Sequence, residues 1–96
     1  MTTAPRRADE LPLPGGEFRL FVTRLSFQCM LSLGLLENPL TQTRTVNLPN
    51  ARMILDDLVM LREKTVGNLD SDEEAHLDKT IADLGHQYEA VEARTA

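Results

Sequence analysis

Two pairs of acidic and histidine residues in the last third of the chain have the spacing of metal ligands. Glu73 and His76 are three residues apart, and Asp83 and His86 repeat that spacing. In four-helix carboxylate proteins, such pairs supply a di-metal centre together with carboxylates from the other helices. The first apolar segment offers no carboxylate from residue 18 to residue 36. Charged pairs at this spacing are also common on solvated helix faces, so a metal-carboxylate protein is the alternative hypothesis.

Other residue types that carry out chemistry are sparse. Cys29 is the single cysteine and falls in an apolar stretch, with no histidine or base at a neighbouring helical position. This setting is typical of a small buried side chain rather than a nucleophile. The sequence has no glycine-rich loop before a helix for phosphate and no strand-turn-helix serine. It therefore predicts neither an enzyme nor a cofactor.

Charge is distributed unevenly along the 96 residues. Residues 1–52 hold six arginines and four acids, a net charge of +2, whereas residues 53–96 hold four basic and eleven acidic residues, a net charge of −7. An acidic half repels phosphate, so we expect no nucleic-acid binding. A single cysteine excludes an internal disulfide and favours a cytoplasmic protein. A hydrophobic content of 42% predicts one folded domain.

The apolar pattern predicts a first helix after a flexible tail. Residues 1–16 carry three prolines and a glycine pair, which favours a tail before a single helical domain over residues 17–96. The first helix is predicted from Phe18 to Leu36, ending before Pro39 because a residue that precedes proline is disfavoured in a helix. Its core face is expected to hold Phe18, Phe21, Val22, Leu25, Cys29, Leu33 and Leu36.

Two further helices are predicted after a polar connection from Leu40 to Leu48. Asn47 is expected to cap the second helix, with Pro49 in its first turn. The core side of that helix is predicted to contain Ala51, Ile54, Leu55, Leu58 and Leu61. The third helix is predicted from Ser71 to Glu92. Its apolar seam has alternating steps of four and three residues, through Leu77, Ile81, Leu84, Tyr88 and Val91.

The junction between the second and third helices has a structural explanation in its own residues. Gly67 adopts the left-handed conformation at little cost, so it is expected to end the second helix. Asp70 and Glu73 have the spacing of an acidic capping box at the start of the third helix. The sequence therefore predicts a short turn and an antiparallel helix pair here, rather than a site.

The first helix is apolar on two sides, and its second side has no evident partner within the chain. A chain of this size can hardly cover both sides, so we expect an interface in a homo-oligomer, most simply a dimer. The predicted interface residues are Leu20, Phe27, Leu31, Leu35, Met53 and Met60. The alternative is that the tail or the polar loop folds over them. A membrane span is not predicted, because the uncharged run covers only residues 25–36.

Several short stretches of the sequence resemble a known family. They are the Leu33-Gly34 pair, the stretch NLPNARMILDDLVMLREKTVGNL from Asn47 to Leu69, the Glu73-Glu74 pair and Tyr88. With these, the chain resembles a small bacterial family known as domain of unknown function 1844. The resemblance implies a helical domain and brings no activity, substrate or catalytic residue with it.

Taken together, the residues predict an all-α domain of three helices, in which the second and third form a helical hairpin and the domain packs into a homo-oligomer. The predicted function is a small cytoplasmic protein-interaction module that self-associates, with a second copy or another protein as partner. The alternative is a metal-binding helical protein that uses Glu73, His76, Asp83 and His86.

Overall fold

Three α-helices form the part of the chain that the computed structural model describes, residues 16–95. Helix α1 spans Phe18–Ser32, α2 spans Leu48–Lys64 and α3 spans Ser71–Thr95. This part contains no β-strand, only two isolated bridges within the α1–α2 connection. The prediction of an all-α, three-helix domain is confirmed. The tail predicted over residues 1–16 lies, except for Gly16, outside the described residues.

Each helix contacts the other two around one apolar core. The second and third helices supply the residues that their spacing predicted, and Leu61, Ile81 and Tyr88 pack against the edge of the core. Burying these side chains removes apolar surface from water, which is the main force that holds short helices together. The buried core residues are Val22, Cys29, Leu33, Ala51, Ile54, Leu55, Leu58, Leu77, Leu84 and Val91.

The end of α1 differs from the prediction. The helix stops at Ser32 rather than Leu36, because Gly34 has a φ of +73° and turns the chain away from the helix axis. The amide of Gly34 donates to the carbonyl of Leu31 at 3.1 Å, and the amide of Leu35 donates to that of Met30 at 3.0 Å. These two bonds form a Schellman motif. The prediction that Pro39 sets the end of the helix is therefore wrong.

The connection between α1 and α2 folds back on itself. Leu33 is bridged to Val46, and the amide of Asn38 donates to the carbonyl of Thr43 at 2.9 Å. The amide of Asn47 then donates to the carbonyl of Ser32 at 2.6 Å, which brings the start of α2 beside the end of α1. As a result, α1 and α2 run antiparallel.

The start of α2 and the junction between α2 and α3 have the structure that the local sequence predicted. Asn47 caps α2 by accepting from the amide of Asn50 at 3.1 Å. Gly67 has a φ of +84° after the last turn of α2. The capping box is reciprocal, since Asp70 accepts from the amide of Glu73 at 2.8 Å and Glu73 accepts from the amide of Asp70 at 3.0 Å. The third helix then continues to Thr95, three residues past its predicted end.

Arg62 ties α2 to α3 on the solvent side of the hairpin. Its guanidinium donates to the Asp78 carboxylate at 2.6 Å and lies 3.1 Å from the Glu74 carboxylate. The hydrogen bond to Asp78 raises the pKa of Arg62 above its ordinary value. Exposed pairs of this kind contribute little to stability, so the packing of the core, and not this pair, holds α2 and α3 together.

Candidate interaction surface

The structure places three of the predicted interface residues at the surface and three in half-buried positions. Phe27 and Met53 are each 52% exposed, and Met60 is 46% exposed. Leu20 and Leu31 are half-buried. These five residues are called the outer face below. The sixth predicted residue, Leu35, lies just past the end of α1 and packs against the core.

Helical geometry explains why the outer face turns away from the core. Successive residues of an α-helix are ~100° apart, so Phe27 lies nearly opposite Val22 and Cys29 around the axis of α1. Both of those residues are fully buried. In α2, the exposed Met53 and Met60 lie opposite the buried core residues of that helix in the same way. Residues seven apart in the sequence lie on the same side of a helix. Leu20 and Phe27 are therefore aligned along α1, and Met53 and Met60 along α2.

The sequence assigned one large apolar side chain to the wrong side of α1. Phe21 was expected in the core but is 40% exposed. It lies ~80° from the centre of the buried face, at the edge that α2 and α3 leave uncovered. Leu36, also expected in the core, lies in the connection and is 36% exposed because the helix has already ended. Phe21 therefore widens the apolar area beside the outer face.

Two opposite charges lie within the outer face. Arg24 is on α1 between Leu20 and Phe27, and Asp57 is on α2 between Met53 and Met60. Between residues 16 and 95, neither of the two forms an ion pair. Arg24 is half-buried and Asp57 is exposed. The outward sides of the two helices thus carry apolar residues together with one basic position on α1 and one acidic position on α2.

The first metal pair predicted from the sequence has other roles in the structure. Glu73 uses its carboxylate to accept from the amide of Asp70, which completes the helix cap. The Nε2 atom of His76 lies 3.3 Å from the Oγ1 atom of Thr23, so the ring links α3 to α1. Both side chains are therefore explained by their structural contacts.

The second pair lies farther along α3. Asp83 pairs with Lys79 at 2.6 Å, one turn earlier on the same helix, and His86 is exposed. This pair lies ten residues beyond the first, which is ~15 Å, or almost three turns, at a rise of ~1.5 Å per residue. Over the described part of the chain, no three His, Cys, Asp or Glu side chains come together where they could hold a metal ion. The four predicted ligands are not brought together.

Cys29 is a core residue, as its position predicted. It is fully buried, and its thiol lies 3.6 Å from the carbonyl oxygen of Ala51 on α2. Burial raises the pKa of the thiol, because the apolar surroundings disfavour the charged thiolate. The thiolate is the nucleophilic form, so this environment suits packing between α1 and α2 and not nucleophilic chemistry.

None of the three helices in residues 16–95 has the length and apolar character needed to cross a bilayer. A family model with the description "Domain of unknown function (DUF1844)" matches residues 16–90, which include all of α1 and α2 and most of α3. No curated protein matches the chain. No solved structure matches it either.

Proposed function

The chain belongs to the DUF1844 family, and we propose that it is a small, non-catalytic helical module that self-associates through the outer face. The observation that carries this proposal is the exposure of Phe27, Met53 and Met60 on the sides of α1 and α2 that face away from the core. Large apolar side chains exposed on helix faces that the fold leaves uncovered are typical of protein interfaces. Aromatic residues and methionine are enriched at the centres of such interfaces.

The free energy gained by covering Phe27 in an assembly can be estimated from its exposure. A phenylalanine side chain buries ~200 Å² when fully covered, so the 52% exposure of Phe27 leaves ~100 Å² in water. At ~25 cal/mol per Å², covering this area stabilises an assembly by ~2.5 kcal/mol for each copy. In a symmetric dimer the gain is made twice, since both subunits present the same face.

A second copy of the chain accounts for this surface with the fewest components. The net charge of −5 makes a nucleic acid an unsuitable partner, because its phosphates would be repelled. The cytoplasmic location stays a prediction, which rests on the single cysteine. A metal-dependent function has no supporting observation among the described residues, whose candidate ligands lie apart or serve as caps and ion pairs.

The test is the variant Phe27→Arg, measured by light scattering coupled to size exclusion together with circular dichroism. We expect wild-type protein with the mass of a dimer and a Phe27→Arg variant with the mass of a monomer and unchanged helix content. The reason is that the interface would have to bury an unpaired charge in each subunit. Because Phe27 is outside the core, the fold itself should survive the change.

Leu40→Arg is the matched control. Leu40 is 92% exposed in the α1–α2 connection, away from the helical faces. The same change of an apolar residue to arginine there should leave the dimer intact. A wild-type protein that is monomeric at micromolar concentration would contradict the proposal. Equal masses for the wild-type and Phe27→Arg proteins would do so as well.

A further inference from the structure

A groove of about 280 Å³ runs along the first turns of α1, at the surface of the domain. Phe18, Phe21 and Arg24 follow one another at steps of three residues, so they are neighbours along the helix surface. Gly16 and Glu17 line the end of the groove at which the helix starts. This cavity is called the α1 groove below. It begins at the same residue as the part of the chain that the structure describes.

The α1 groove lies on a side of α1 that α3 does not cover. Thr23 contacts α3 through His76, and Phe21 is two residues from Thr23, which places it ~160° away around the helix axis. Phe21 is also ~80° from Cys29, through which α1 contacts α2. Its side chain is accordingly 40% exposed. The three helices thus leave an aromatic ring at the surface, beside the contact between α1 and α2.

The lining residues define what the groove can bind. The rings of Phe18 and Phe21 have centroids 6.5 Å apart and form an apolar wall. At the far end of the groove, Arg24 is half-buried and forms no ion pair with another residue of the range 16–95. The carboxylate of Glu17 is already engaged, since it accepts from the amide of Arg19 at the start of the helix. The groove therefore suits a short apolar segment with an acid at one end.

The chain that leads into the groove has this composition. Residues 9–14 read DELPLP, two acids followed by alternating leucine and proline. Gly15 and Gly16 come next, and Gly16 has a φ of +82°, a left-handed conformation that turns the chain. Because Gly16 itself lines the groove, the residues before it are tethered to one end of the groove. A tether gives the segment a high effective concentration that a free partner does not have.

We propose that residues 9–14 fold back and dock in the α1 groove of their own chain, with the two leucines against the phenylalanine wall and Glu10 beside Arg24. The opposite charges at the far end fix the direction in which the segment lies. The docked segment covers Phe21 and acts as a strap along the first turns of α1. This inference is independent of the proposed self-association, which uses the outer face.

The length of the segment matches the length of the groove. Arg24 is seven residues after Glu17, which is a rise of ~10 Å along the helix at ~1.5 Å per residue. The four residues from Leu11 to Pro14 cover ~12 Å in a polyproline II conformation, at ~3.1 Å per residue. Glu10 then comes level with Arg24. The two prolines restrict the backbone in advance, which lowers the conformational entropy lost on docking.

A single tryptophan can report the docking, because the chain has none of its own. In the Leu13→Trp variant we expect fluorescence emission at shorter wavelength, and acrylamide quenching ~3-fold weaker, than in the same protein with Phe21→Ser added. Phe21 lies outside the buried core, so circular dichroism should show the same helix content in both. Phe27→Ser is the matched control, since it changes another exposed phenylalanine of α1 that does not line the groove. It should leave emission and quenching unchanged.

Proteolysis gives a second readout with the native leucine at position 13. A glutamate-specific protease cuts after Glu10, and it should do so ~10-fold more slowly in the wild-type protein than in the Phe21→Ser variant, because only the undocked segment is open to cleavage. Phe27→Ser should be cut at the wild-type rate. Equal rates for the wild-type and Phe21→Ser proteins would overturn the inference.

Charge reversal tests the direction of the segment. In the Leu13→Trp protein, Arg24→Glu should strengthen quenching by ~2-fold or more, because it places a like charge beside Glu10. Adding Glu10→Arg should restore the weaker quenching. Arg44→Glu is the control, since it makes the same change of charge at an exposed arginine of the α1–α2 connection. If Arg24→Glu has no larger effect than Arg44→Glu, the proposed pairing of Glu10 with Arg24 is overturned.

Dilution separates docking within one chain from docking on a second copy. Quenching of the Leu13→Trp protein should be independent of protein concentration, and quenching that strengthens on dilution would overturn the inference, because the segment would then occupy the groove of another copy. The mass of the wild-type protein tests the proposed function separately. A monomer with a protected segment contradicts self-association and supports the strap, and a dimer with an unprotected segment does the reverse.

Discussion

Gly34 and Gly67 follow α1 and α2 with nearly the same backbone conformation but different surroundings. Their φ values are +73° and +84°. A Cβ atom added at Gly67 would have no heavy atom within 4 Å, whereas one added at Gly34 would lie 2.9 Å from Cγ2 of Val46 and 3.5 Å from the carbonyl oxygen of Thr45. Alanine at either site therefore has the same backbone strain, and only at Gly34 does it also have a steric clash.

The two costs can be estimated separately. A residue with a side chain in the left-handed region costs ~1 kcal/mol, so Gly67→Ala should lower the free energy of unfolding by about that amount. At Gly34 the Cβ must also displace the side chain of Val46, which is bridged to Leu33 through its backbone. Overpacking of this kind adds ~1 kcal/mol or more. Gly34→Ala should therefore lower the free energy of unfolding by ~2 kcal/mol or more.

Urea unfolding at one fixed protein concentration measures both changes as shifts of the midpoint at constant slope. The variant Val46→Ala supplies the control, because it removes the atom that the new Cβ would meet. In the Val46→Ala variant, Gly34→Ala should lower the free energy of unfolding by no more than Gly67→Ala lowers it in the wild-type protein. Equal losses for the two single variants in the wild-type background would refute the argument that contact with Val46 makes Gly34 irreplaceable.

Two further predictions concern local features of the helices. Asp70→Ala should lower the free energy of unfolding by ~0.5–2 kcal/mol because it removes the acceptor for the amide of Glu73. Urea unfolding measures this loss, and a variant that stays folded should keep its oligomeric state; loss of the assembly would mean that the junction is a recognition site. The pKa of Cys29 is raised in the folded state above its ordinary value of 9.0, so the thiol loses its proton at lower pH in the unfolded state than in the folded state. The contribution of Cys29 to the free energy of unfolding should therefore fall as the pH rises above 9.0. Comparison with Cys29→Ala by urea unfolding between pH 7 and pH 10 isolates the effect, and identical pH dependence would contradict it.

The sequence predicted those parts of the fold that depend on residues close together in the chain. The cap of α2 at Asn47, the turn at Gly67 and the capping box of Asp70 with Glu73 are each formed within three or four residues. Apolar spacing predicted the buried sides of α2 and α3 because a helix repeats its contacts with a fixed period. The spacing also placed Phe27, Met53 and Met60 on sides of their helices that are exposed in the structure.

Tertiary structure decided the end of α1. The sequence contains two signals that could stop the helix, Gly34 and Pro39, and the first one is used. Stopping at Ser32 allows Leu33 to enter the core and the connection to pair with it through Val46. Those contacts join positions more than ten residues apart, so the local pattern does not contain them.

Tertiary structure also decided which apolar residues are exposed. Phe21 lies at the edge of an apolar face, and only the positions of α2 and α3 around α1 determine that it is exposed. The seven-residue spacings of Leu20 with Phe27 and of Met53 with Met60 are visible in the sequence. The level at which α1 and α2 meet is not, because it results from the antiparallel packing that brings Cys29 against Ala51. Spacing follows from the helix itself, whereas the alignment of one helix with another depends on how the two meet.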